Sequence, residues 1–124
     1  MTAATGDSLE FGYDVLKRLN RVTVKDGSSV ILNTAYAYRD VSWNRGSAQV
    51  EFRNVRLGSD SGMLLEGKKY SYDKAGNLVM ISESTGKYNK LVEYAYDDQN
   101  QLKSEAYYKS GEAKAYLTYY YTYD

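Results

Sequence analysis

Val30, Leu32, Thr34, Tyr36 and Tyr38 share one parity along the chain, as do Tyr88, Lys90, Val92, Tyr94 and Tyr96, and again Ala113, Ala115, Leu117, Tyr119, Tyr121 and Tyr123. Alternation at period two places each set on one face of an extended strand. Helical spacing of apolar positions is nowhere sustained. The pattern predicts about nine strands, near 9–14, 18–25, 29–38, 47–57, 63–72, 77–83, 87–96, 101–108 and 113–123. The expected architecture is all-β, an antiparallel meander of hairpins with a tyrosine-rich face.

The segments between the strands carry turn chemistry at regular intervals. In Tyr70-Ser71-Tyr72 two rings project from the same face, and Asp73 follows at the first position of a type I turn, where its carboxylate can accept backbone N–H groups ahead of it. Gly76 comes three residues later, where a positive φ carries no Cβ penalty. Leu78 restarts the returning strand. The string after Tyr96 matches position for position: Tyr94 and Tyr96 form the stripe, Asp97 opens the turn, Asn100 replaces the glycine and Leu102 restarts the strand. Further anchors end at Tyr13, Tyr38 and Tyr123, so the second tyrosines are 25, 34, 24 and 27 residues apart, the long interval holding an insertion. A second turn signal falls inside the period at Lys25-Asp26-Gly27, Ser84-Thr85-Gly86 and Lys109-Ser110-Gly111. Each repeat is two strands and two turns.

Composition agrees with strands. Fifteen residues are tyrosine and none is proline; tyrosine fills a pleated surface while its hydroxyl stays wet, and proline would delete a ladder donor. Sixteen basic and sixteen acidic residues leave no net charge, so nothing in the balance points to nucleic acid or an anionic membrane surface. No apolar run reaches the ~20 residues of a membrane span. The start MTAATGDSLE lacks the basic and apolar regions of a signal peptide, which places any export address on a longer parent chain. Histidine and cysteine are both absent. The commonest general base and the usual thiolate chemistry are therefore missing, and no cofactor, metal or enzymatic activity is expected.

YSYDKAGNL, YAYDDQNQL, GYDVLKRL and the terminal YTYD resemble the YD repeats of the Rhs family, which also occur in teneurins and in the B and C components of insecticidal toxin complexes. The resemblance runs from about Phe11 to Asp124. Its anchor and turn residues are Tyr13, Asp14, Tyr36, Tyr38, Tyr70, Tyr72, Asp73, Gly76, Tyr94, Tyr96, Asp97, Asn100, Tyr121, Tyr123 and Asp124, with Lys17 standing where glycine is expected and Arg39 replacing the aspartate after Tyr38. It implies a ribbon of antiparallel strands belonging to a spiralling β-shell. In toxin systems such a shell encloses a polypeptide, and in teneurins it belongs to an adhesive ectodomain. The family's autoproteolytic segment contains proline and has no counterpart in this chain.

The remaining chemistry has plainer explanations. Asp97-Asp98 and Asp40 lack the alternate-position pattern of a calcium loop and suit turn capping instead. Glu83, Glu93 and Glu105 fall on strand positions where solvated charges are expected rather than an acid–base pair. Gly58-Ser59-Asp60-Ser61-Gly62 has neither the following Lys-Ser or Lys-Thr nor the helix of a phosphate cradle, and reads as a flexible hairpin tip. Trp43, in an irregular turn, is a candidate for stacking on a ligand.

The expected organisation is a flexible N-terminal segment over residues 1–10 and one YD-repeat domain over 11–124, a fragment of a longer array. The expected role is a non-enzymatic wall segment of a shell, secreted or cell-surface as part of its parent. Its partners would be neighbouring repeats, or further copies of itself joined through edge strands, and an enclosed toxin polypeptide. The alternative is a module that binds glycan or a cell-surface protein through its Tyr/Trp-rich face.

Overall fold

The computed structural model describes residues 7–39, 49–85 and 88–124. Among these residues the fold is all-β and antiparallel, a succession of hairpins with no helix. The strands are β1 (Asp7–Tyr13), β2 (Leu19–Asp26), β3 (Ser29–Tyr38), β4 (Val50–Leu57), β5 (Leu64–Tyr72), β6 (Leu78–Thr85), β7 (Tyr88–Tyr96), β8 (Leu102–Tyr108) and β9 (Leu117–Tyr120). The chain divides into two compact units, Met1–Gly67 and Lys68–Asp124. Residues 7–10, grouped with the N-terminal segment on the sequence pattern, are strand and pair with β2.

In the first unit β1 to β4 form a meander, each strand paired antiparallel with the next. The register sorts the side chains by chemistry. One face carries the rows Leu9–Val24–Leu32–Leu57 and Phe11–Val22–Thr34–Val55, and the other carries Glu10–Thr23–Asn33–Arg56 and Gly12–Arg21–Ala35–Asn54. The buried residues are not on the apolar face. Among the described residues no hydrophobic side chain is buried, while Asn33 (4% exposed) and Thr23 (8%) are.

The reason is the connection between β4 and β5, which turns back over the polar face. Gly58 N–H donates to the Ile31 carbonyl at 2.8 Å, and the Asp60 carboxylate accepts from Arg21 Nη2 at 2.6 Å and from Asn33 Nδ2. Thr23 Oγ1 lies 3.4 Å from Asn33 Oδ1 beneath it. The segment read as a flexible tip is thus pinned to β2 and β3 by its central aspartate. It also offers no phosphate cradle, because a carboxylate already occupies the place facing the arginine.

In the second unit β6 to β9 continue the same order of pairing. One face carries Ile81–Val92–Tyr107–Leu117 and Tyr94–Glu105–Tyr119, and the other carries Met80–Glu93–Ala106–Thr118 and Ala95–Ser104–Tyr120. The final strand is much shorter than the predicted 113–123. Gly111 turns with φ +74°, Glu112 N–H closes on the Lys109 carbonyl at 3.1 Å, and the ladder resumes only when Tyr116 N–H reaches the Tyr107 carbonyl. Lys109, whose ammonium lies 5.2 Å from the centre of the Tyr116 ring, staples this loop across its base.

Candidate functional site

Three of the tyrosine-aspartate anchors have the same backbone geometry. Asp14, Asp73 and Asp97 each donate their N–H to the carbonyl four residues on (Arg18, Asn77, Gln101), and each accepts at its own carbonyl from the N–H three residues on (Lys17, Gly76, Asn100). This is a three-residue hairpin loop, a type I turn closed by a left-handed residue. That residue has φ +62° at Lys17, +90° at Gly76 and +61° at Asn100. The substituted position in the first anchor therefore keeps the conformation and not the glycine.

The aspartate side chain organises each loop from inside. Its Oδ1 accepts from the backbone N–H two and four residues ahead: from Leu16 and Arg18 for Asp14, from Ala75 and Asn77 for Asp73, and from Gln99 and Gln101 for Asp97, all between 2.9 and 3.0 Å. These donors hold two carboxyls below the usual carboxylate value, Asp14 chiefly through the Arg18 N–H and Asp73 chiefly through the Asn77 N–H. The Arg18 side chain adds a charge, with Nε 2.7 Å from Asp14 Oδ2 and the guanidinium 4.5 Å from the centre of the Tyr38 ring.

The second tyrosine of an anchor has a role that its spacing alone does not announce. Its hydroxyl donates to the backbone carbonyl of the first residue of the preceding strand: Tyr38 to Leu19, Tyr96 to Leu78 and Tyr123 to Leu102, each at 2.6 Å. A bulge accompanies the pair. Tyr13, Tyr38 and Tyr96 align with Leu19, Val50 and Leu102, and the residues just before them skip one position on the returning strand. Among the described residues Tyr13 alone of these has no strand before it to clamp. Its ring is 61% exposed, and among the described residues its hydroxyl has no partner.

Tyr36 sits opposite Arg53, Tyr70 and Tyr72 are half-buried on β5, and Asp124 is exposed beyond β9. Trp43 and Asp40 lie outside the described residues, as does Gly86 of the second turn signal. The three glutamates do not converge, because Glu93 projects from the face opposite Glu83 and Glu105.

Glu105 is not the solvated charge that its strand position suggested. Its Oε2 accepts from the Tyr107 hydroxyl at 2.7 Å and its Oε1 from the Tyr121 hydroxyl at 3.1 Å. Tyr94 flanks it on β7 and Tyr119 on β9, and the Tyr107 and Tyr119 rings meet edge to face with centres 6.0 Å apart. The accepted hydrogen bond pushes the Tyr107 phenol up to about 12, since ionising it would set two negative charges together. Tyr121 is raised by desolvation and then by its own bond to Glu105, and Tyr94 by burial and then by the same carboxylate. The result is a tyrosine field with one carboxylate at its centre. The signal available in sequence was the alternation of Glu105 with Tyr107 on one strand, read against Tyr119 and Tyr121 on the next.

No protein-family model matches the chain, and no curated protein matches it in sequence.

Proposed function

We propose that this chain is a non-enzymatic wall segment of a YD-repeat array, whose immediate partners are neighbouring repeats. The observation that carries the reading is the anchor clamp. Three tyrosine hydroxyls, two at strand ends and one just beyond β9, reach back to the first residue of β2, β6 or β8, and three anchor loops share one geometry. Nothing in that device acts on a substrate, and everything in it positions one hairpin on the next. Secretion or cell-surface display within a parent protein, and an enclosed toxin polypeptide, enter this proposal through the resemblance of the YD motifs.

The open clamp at Tyr13 supplies the test. A wall segment gains stability when a repeat is added upstream, because adjacent units in such arrays stabilise one another through nearest-neighbour interfaces. Fusing a second copy of residues 88–108, which ends in β8 and so brings the Leu102 carbonyl beside β1, with a short linker ahead of Asp7 is expected to raise the urea midpoint of the first unit and to shield the Tyr13 ring. An unchanged midpoint with Tyr13 still exposed overturns the reading. A recognition role is the second reading, favoured by the exposed tyrosines around Glu105.

A further inference from the structure

We infer that the face around Glu105 is a binding site for a guanidinium group, such as an arginine side chain offered by a peptide or protein. The argument starts from a charge without a counterpart. Two tyrosine hydroxyls donate to Glu105, one to each oxygen, but hydroxyls are neutral and leave the negative charge in place. Among the described residues no ion pair includes Glu105. Each oxygen also keeps an unused lone pair, so the carboxylate can still accept a pair of N–H donors.

The rings complete the site. Tyr94 and Tyr119 stand directly opposite Glu105 on the two flanking strands, and neighbouring strands lie about 4.8 Å apart. A cation resting on the carboxylate therefore has phenol rings beside it on both flanking strands, and an aromatic face attracts a positive charge over ~6 Å. The approach is open, with Tyr119 49% and Tyr121 39% exposed.

The chain builds the filled version of this arrangement itself. At the first anchor the Arg18 guanidinium lies between the Asp14 carboxylate, 2.7 Å from Nε, and the Tyr38 ring, 4.5 Å from its centre. Around Glu105 the carboxylate and the rings are present without the arginine. Guanidinium suits the site better than ammonium. Its planar fork spans both carboxylate oxygens, its flat face stacks on a phenol, and it is the more weakly hydrated of the two. The inference stands whether or not the chain is part of a shell.

The test is a titration followed by the ring resonances of Tyr94 and Tyr119, using tri-arginine amide, tri-lysine amide and tri-citrulline amide, the last being the uncharged isostere of the first. Tri-arginine is expected to shift both rings saturably, tri-lysine to bind more weakly and tri-citrulline not at all. Glu105→Gln should weaken tri-arginine by about threefold or more, and Tyr119→Leu by about two- to fivefold, the ratios that correspond to one exposed charge pair and one exposed cation–aromatic contact. Tyr120→Leu, on the opposite face and 79% exposed, should change nothing. Equal binding of tri-lysine, an unchanged affinity in Glu105→Gln, or a loss in Tyr120→Leu as large as in Tyr119→Leu each overturns the proposal. Two-dimensional spectra of each variant with native dispersion away from the substituted site establish that it is folded.

Discussion

Replacing Lys17 with glycine should stabilise the first unit. Lys17 closes its turn at φ +62°, in the position that Gly76 fills at φ +90°. An L-residue with a Cβ in the left-handed region bears a steric cost of about 1–2 kcal/mol, which Lys17→Gly removes. The same change gives the unfolded chain more freedom to lose, at a cost of about 0.5–1 kcal/mol. The Lys17 side chain is exposed, so little contact is lost with it. The net expectation is a gain of about 0.5–1 kcal/mol. The reverse change follows from the same numbers: Gly76→Val forces a β-branched residue to positive φ and should cost at least ~1 kcal/mol, while Lys74→Ala at the exposed loop tip should be nearly silent. Asn100→Gly separates steric relief from side-chain bonding, because Asn100 Oδ1 accepts from Asn77 Nδ2 at 2.9 Å and glycine abolishes that bond. Its gain should be smaller than that of Lys17→Gly. The assay is the urea midpoint at constant m-value, which isolates stability from changes in the exposed surface. A destabilised Lys17→Gly, or equal effects of Gly76→Val and Lys74→Ala, would refute the assignment of strain to the third loop residue.

Tyr96→Phe deletes the hydroxyl that donates to the Leu78 carbonyl and should cost about 0.5–1.5 kcal/mol in urea; Tyr13→Phe, which has no such bond to lose, should be silent, and a matching loss there would mean the clamp is not the cause. Asp14 and Asp73 have folded-state carboxyls below the ordinary 3.8. Their stabilising contribution is therefore complete above about pH 4 and is lost as pH falls through the lower folded value, so Asp73→Asn should flatten the acid limb of a plot of urea midpoint against pH. The Tyr107 phenol, raised from 10.0 to about 12, contributes stability that is intact below pH 10 and disappears as pH rises toward 12. Glu105→Gln should bring its titration, followed by the Tyr107 ring resonances, back toward 10.

Strand positions were legible because alternation survives wherever one face differs from the other, and the turns were legible because Asp73, Gly76 and Asn100 declare their backbone requirements by residue type. The last strand was not. Ala113 and Ala115 keep the parity of Leu117 and Tyr119, yet the turn at Gly111 and the Lys109–Tyr116 contact hold them in a loop. Parity detects which face a residue would take in a strand but says nothing about whether a partner strand reaches it. The docking of Asp60 was equally hidden, since a Gly-Ser loop carries no mark of the Arg21 and Asn33 side chains that receive it from strands more than twenty residues away. Glu105 was misread for a related reason: on one strand it is a lone charge, and only the register of β7, β8 and β9 surrounds it with phenols.

A chain whose described residues bury no hydrophobic side chain must draw its order from elsewhere. Here the devices are local to each hairpin. The aspartate fixes the loop, the left-handed residue ends it, and the second tyrosine ties its strand to the carbonyl that began the strand before. The clamp has a direction. Tyr38, Tyr96 and Tyr123 all reach backward along the chain, over 18 to 21 residues, and none reaches forward. A hairpin is therefore locked as soon as its own second tyrosine is in place, without waiting for a distant segment, and loop closure over so short a span adds little entropic cost. The two edges differ for the same reason. At β9 the clamp is already closed on Leu102, so a further strand need only supply backbone partners. At β1 the Tyr13 hydroxyl has no partner among the described residues, so a strand added there would meet an open clamp, which fits one that begins as β2 and β8 begin, with a residue set one step before a bulge.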